Sequence, residues 1–249
     1  MATPAITSTV ETQTMPWTQT EHDDAHAMAR ACATRIARAM DEALTARRGT
    51  VVALAGGRTA PPILERVAAE PRKWSHVTIA PTDERWVPVD HPDCNLRQLR
   101  QAFAFAPGIR WLGLVPDRAQ GSPNVKHANW ALQAAPGPFD AVLLGMGADG
   151  HVASLFPGAP ELAHALDANA SDAAVVITPD PMPSAGPHPR VSLTLARLLN
   201  SRRVLLAITG EEKRETLRRA QREDADPLRL PIAALLHAPD AKIEIHWSP

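Results

Sequence analysis

The sequence predicts the α/β fold class, built as a mostly parallel sheet with helices on both faces. Short apolar runs rich in β-branched residues, such as "TVVALAGG", "FDAVLLGMG" and "RRVLLAITG", alternate with stretches of helical periodicity. These runs are apolar along their whole length, as strands buried on both faces require. Glycines close them at the points where each strand would turn toward a helix.

Taken in order, residues 1–18 lack the basic start and continuous apolar segment of a secretory signal and are expected to form a flexible N-terminal tail. Residues 19–249 are expected to form a single α/β domain of Rossmann-like construction. The first helix is marked by Ala25, Met28, Cys32, Ile36, Met40 and Leu44, with Arg47, Arg48 and Gly49 as its stop. "TVVALAGG" then leads into "TAPPILERVAAE", a helix with early prolines. "HVTIAPTDER" precedes the helical "DCNLRQLRQAF", and "IRWLGLV" precedes "NVKHANWALQAA". "FDAVLLGMG" runs into "ADGHVASLFPG". "AAVVITP" is followed by a proline-rich loop and the helical "SLTLARLLN". "RRVLLAITG" precedes "EEKRETLRRAQRE", and "KIEIHWS" closes the sheet. The five prolines of residues 178–189 exclude a helix and mark a surface loop that borders a site.

With 249 residues, 45% of them hydrophobic, the chain can bury a sizeable core. Its 26 basic and 27 acidic residues leave a net charge of -1, so no general field favours nucleic acid or an anionic membrane. An anionic ligand therefore needs a local basic pocket. Cys32 and Cys94 supply neither a disulfide framework nor a zinc pattern, which makes a reducing cytoplasm the simplest compartment. No segment reaches the roughly 18 apolar residues of a membrane span.

Ligands of such folds bind outside the carboxyl ends of the strands, and four motifs fall there. Gly56, Gly57, Arg58 and Thr59 form a turn between strand and helix, where glycines admit a close approach and helix-start amides attract an anion. Asp83, Glu84 and Arg85 follow "VTIA". Asp149 and His151 flank Gly150, a spacing that can bring a carboxylate and a near-neutral base into one pocket. Arg190 ends the proline-rich loop, and Lys213 lies in the first turn of a late helix, where the peptide dipole also favours anions. His22, His26, His76, His91, His127, His164, His188, His237 and His246 show no paired metal spacing and read as structural or surface residues.

In chain order, "ALAGGRTAP", "TDERWVPVDHPDCNLR", "LLGMGADGHVASLFPG", "PRVSLTLARLLN" and "AITGEEKRE" resemble the 6-phosphogluconolactonase family, within the group that includes glucosamine-6-phosphate deaminases. The resemblance implies a sugar-phosphate isomerase-like fold and hydrolysis of 6-phospho-D-glucono-1,5-lactone, in a cytoplasmic monomer or weak homodimer. It implies no organic cofactor and no metal. His151 would draw a proton from the attacking water, and Asp149 would orient it. Gly56, Gly57, Arg58, Thr59, Asp83, Arg85, Asn95, Arg190 and Lys213 would contact the sugar phosphate. Ser154 sits in no GxSxG elbow and is not expected to act as a nucleophile.

Two positions depart from the family pattern. Arg58 stands where a serine is usual, and Cys94 replaces the serine before Asn95. The rival readings are a deaminase or isomerase of amino-sugar phosphates and a non-catalytic sugar-phosphate-binding regulator. The deaminases carry an acid five residues after the histidine, in an Asn-Glu-Pro run; here that position is Phe156. The regulator would lack the base, which is present.

Overall fold

The computed structural model describes residues 17–184, 186–239 and 241–249. The expected tail lies outside the described residues up to residue 16. Trp17 and Thr18, assigned to it from sequence, instead open the first strand.

The strands are β1 (Trp17–Glu21), β2 (Thr50–Leu54), β3 (Val77–Pro81), β4 (Asp83–Arg85), β5 (Arg110–Trp111), β6 (Ala141–Leu144), β7 (Ala174–Ile177), β8 (Arg190–Leu193), β9 (Val204–Thr209) and β10 (Ile243–Ser248). The helices are α1 (Ala25–Arg47), α2 (Pro61–Ala69), α3 (Asn95–Ala102), α4 (Lys126–Leu132), α5 (Leu162–Ala165), α6 (Leu195–Leu199), α7 (Glu211–Ala220) and α8 (Ile232–Leu236). Seven strands form a wholly parallel sheet in the order β1-β10-β9-β6-β2-β3-β5.

Alternation along the central strands divides the core in two. Val52, Leu54, Leu143, Leu205 and Ala207 pack with Met28, Ile36 and Met40 of α1 and Ile63 of α2. Ala53, Val142, Leu144, Val204, Leu206 and Ile208 face the other way, onto Leu198 of α6, Leu217 of α7 and Leu235 of α8. Period-two side-chain direction thus gives one sheet two apolar faces, each covered by helices. The helix ends follow local chemistry. Asp24 caps α1 by accepting the Ala27 N–H at 2.7 Å, and Pro61 opens α2 with its preset backbone angle.

The architecture departs from a single sheet in one respect. β4, β8 and β7 form a separate three-stranded antiparallel sheet. "HVTIAPTDER" therefore divides at Thr82 into a strand of each sheet, and "AAVVITP" joins the small one. Arg190, expected at a loop's end, is the first residue of β8.

Candidate active site

Four motifs follow β9, β6, β2 and β3, which are neighbours in the centre of the parallel sheet. Their side chains converge on one cleft of about 1130 Å³, and every residue expected at the site lines it.

After β6 the chain closes a tight turn. Gly147 N–H donates to the His151 carbonyl at 2.9 Å, and Gly150 N–H to the Gly147 carbonyl at 3.1 Å. A side chain on Gly147 would run into both the His151 ring and the Asp149 carboxylate, so a larger residue there would push the pair from its place. Thr216 of α7 anchors the loop through the Ala148 carbonyl at 2.8 Å. His151 Nδ1 lies 2.6 Å from Asp149 Oδ1, which also accepts the His151 amide at 3.2 Å. Burial pushes the Asp149 carboxyl up, but the His151 hydrogen bond and charge outweigh it and hold the group below its ordinary value. A carboxylate only accepts, so Nδ1 carries a proton, and in the neutral ring the lone pair is on Nε2. The Phe156 ring stacks on the imidazole at 4.1 Å between centroids and 29° between planes. The Arg190 guanidinium carbon lies 5.1 Å from the centre of that ring.

The small sheet supplies the cations. β4 and β8 pair with Arg85 opposite Arg190, a like-charge juxtaposition that a ladder does not favour. Arg190 is only 3% exposed, and burial lowers its pKa against the opposing pull of Asp83. Among the described residues, the Nε of Arg85 and that of Arg190 are both buried without a partner. Two adjacent guanidiniums with unmet donors suit an anion that accepts from both. Arg85 Nη1 also bonds Asn95 Oδ1, and Asn95 Nδ2 donates to the Asp83 carbonyl at 2.7 Å. Asp83 is fixed in turn by Ser154 Oγ at 2.5 Å and Thr82 Oγ1 at 3.1 Å. Ser154 is fully buried on that carboxylate, which gives it a structural place.

Glu84, adjacent to both, turns away from the cleft. Its Oε1 accepts the amides of Asn95 at 2.7 Å and Arg85 at 2.9 Å, and its Oε2 accepts that of Leu96 at 2.7 Å. Burial nevertheless raises its pKa to about 7. Cys94 Sγ takes over the cap of α3, accepting the Arg97 amide and donating to Glu84, both at 3.4 Å. The serine-to-cysteine departure therefore preserves a cap.

The glycine turn differs from expectation. Gly57 takes φ of +85° and its N–H donates to Gln98 Oε1 at 3.1 Å, so that amide already has a partner. Pro61 and Pro62 remove two donors from the start of α2, which leaves the hydroxyl of Thr59 and the basic groups opposite as the better anion contacts. Arg58 is exposed at the rim. Lys213 lies in the first turn of α7, and its pKa is lowered by burial and then by Arg58, against Glu212 and Asp149. The proline-rich loop reaches the cleft through Pro183 and Ser184. Gln98 and the stacking role of Phe156 were not evident from sequence, because both depend on contacts made across the fold.

The family model described as glucosamine-6-phosphate isomerases/6-phosphogluconolactonase matches residues 23–247. The chain is 37% identical over 228 residues to the 6-phosphogluconolactonase of Pseudomonas putida, covering 91% of this chain and 90% of that protein. It is 36% identical over 223 residues to the 6-phosphogluconolactonase of Pseudomonas aeruginosa, covering 89% and 90%. The crystal structure of a 6-phosphogluconolactonase from Shewanella baltica superposes with a TM-score of 0.83 at 32% identity, covering 93% of this chain and 97% of that one.

Proposed function

The chain belongs to the glucosamine-6-phosphate isomerase/6-phosphogluconolactonase family, and from that premise we propose that it hydrolyses 6-phospho-D-glucono-1,5-lactone to 6-phospho-D-gluconate in the oxidative pentose phosphate pathway. The observation that carries the chemistry is the His151–Asp149 pair, stacked on Phe156, whose ring Arg190 also approaches.

His151 Nε2 takes a proton from water as the oxygen attacks the lactone carbonyl. Asp149 accepts from Nδ1 and stabilises the imidazolium that forms. The carbonyl oxygen becomes an oxyanion, which the cations around the cleft stabilise. Collapse of this intermediate breaks the bond to the ring oxygen, and the imidazolium returns its proton there, leaving an open-chain acid. General-base help of this kind contributes about 10²–10⁴-fold, and each well-placed oxyanion donor about 10²–10³-fold. Arg85, Arg190 and Lys213 bind the phosphate or the oxyanion, with Thr59 and Asn95 as polar contacts and Arg58 adding charge at the rim.

Phe156 separates this reading from deamination, because a phenyl ring cannot transfer the proton that opens an amino-sugar ring. Purified protein is expected to accelerate decay of freshly generated 6-phosphogluconolactone well above the spontaneous rate. It is expected to release no ammonia from glucosamine 6-phosphate. Ammonia release with no lactonase activity would reverse the assignment, and binding of 6-phosphogluconate without either activity would make the chain a regulator.

A further inference from the structure

Outside the cleft, the fold joins three side chains whose sequence spacing suggests no relation. His91 and Asp93 sit in the short turn between β4 and α3, where His91 N–H donates to the Pro88 carbonyl at 3.0 Å and Cys94 N–H to the His91 carbonyl at 3.1 Å. His188 belongs to the proline-rich segment that ends at β8. We propose that His91, Asp93 and His188 form a site for a divalent transition-metal ion of the zinc class, which clasps the proline-rich segment to the turn before α3.

The geometry is close to what such an ion needs. One ring nitrogen each of His91 and His188 and a carboxylate oxygen of Asp93 all lie within 4.8 Å of one another. His188 Nε2 is 2.9 Å from Asp93 Oδ2, and His91 Nδ1 is 4.0 Å from the same oxygen. Ligand atoms at about 2.0–2.2 Å from a tetrahedral ion stand roughly 3.4 Å apart. The two distances to Asp93 bracket that value, and the third pair lies within 4.8 Å, so side-chain rotation is what must bring the three ligands to one ion.

The ligand chemistry agrees. Asp93 N–H donates to His91 Nδ1 at 3.1 Å, so Nδ1 is an acceptor whose lone pair an ion takes by displacing that amide. His188 frees Nε2 for an ion by carrying its ring proton on Nδ1 instead. Side-chain exposures of 38%, 40% and 25% leave room for a water as fourth ligand and a path for the ion. The Arg85 guanidinium donates to the Asp93 carbonyl at 3.0 Å, and this nearby positive charge weakens the site relative to a structural zinc centre.

An ion here reaches the cleft through the backbone. Arg190 lies two residues after His188, and its Nη2 bonds the Gly186 carbonyl at 2.9 Å. Holding His188 therefore holds the segment that carries Arg190 into the cleft, whichever reaction the cleft performs.

The test is titration of the tag-free, chelator-treated full chain with Co²⁺, followed by displacement with Zn²⁺. One equivalent of Co²⁺ with the intense visible absorption of a tetrahedral site is expected, and Zn²⁺ should abolish that absorption. His188→Ala and His91→Ala should each weaken binding by at least about tenfold. His164→Ala is the control, because His164 pairs with Asp172 at 3.1 Å with no third ligand among the described residues and should leave binding unchanged. Circular dichroism establishes that each variant is folded. Absence of a tetrahedral cobalt spectrum, or equal binding by the wild type and both cluster variants, overturns the proposal.

Discussion

The parallel sheet delivers chemistry through its loops, whereas the small antiparallel sheet delivers it from within its strands. β2, β6 and β9 are almost wholly buried and apolar, and the Gly56 turn, the Asp149–His151 pair and Lys213 all come after their carboxyl ends. In β4 and β8, by contrast, Arg85 and Arg190 are strand residues placed opposite each other by register. A loop tolerates unusual backbone and so can build a base with its orienting acid. A ladder fixes spacing, and so can hold two guanidiniums side by side for one anion.

That division predicts different failures. His151→Ala should lower kcat by about 10²–10⁴-fold with little change in KM, measured on freshly generated lactone. A variant that keeps wild-type kcat would remove the loop from the chemistry. Arg190→Ala should instead raise KM for the phosphorylated lactone by roughly 10–100-fold, the worth of a charge-assisted hydrogen bond. Lys213→Ala should do the same to a lesser degree, and both variants should spare a non-phosphorylated lactone. Equal losses on both substrates would move these cations from phosphate to oxyanion.

Stability separates the sheets as well. Glu84→Ala strips the amides of Arg85, Asn95 and Leu96 of their acceptor, and chemical denaturation should show a loss of about 3 kcal/mol. A further effect concerns pH. In β10, burial and then His22 lower the His246 pKa to about 4. The unfolded chain binds this proton from about pH 6.5 downward while the folded chain refuses it until about 4. Stability therefore falls through that window, by up to about 3 kcal/mol. Glu84 works in the opposite sense. Its raised folded value means that stability falls as pH rises from about 4.5 to about 7. His246→Gln should remove the acid-side loss and leave the slope of Glu84 exposed. An unchanged profile would show that His246 does not govern acid stability.

The parallel sheet was legible because its evidence is local: apolar runs, closing glycines and helical periodicity lie within a dozen residues of each other. The antiparallel sheet was not. Nothing near "RVSL" says that it pairs with "DER" far upstream, and Pro81 ends β3 only once Thr82 has turned the chain toward another sheet. β1 escaped for a different reason. "WTQTE" is a mostly exposed edge strand with no apolar pattern, recognisable only by its pairing with β10. At the site, residue identities were legible and their partners were not. The Gly57 amide was expected to face a ligand, yet Gln98 of α3 occupies it.

Position 156 has a consequence for how the activities within this family can diverge. The phenyl ring both fills the place of a deaminase's acid and packs against His151 and Arg190. Exchanging it for glutamate would introduce the missing proton carrier and, in the same step, strip the histidine of its stacking surface and set a new anion beside Arg190. Under the proposed roles, one substitution here would act on the base and on an anion-binding arginine together. A change of residue at position 156 would therefore be felt at both His151 and Arg190.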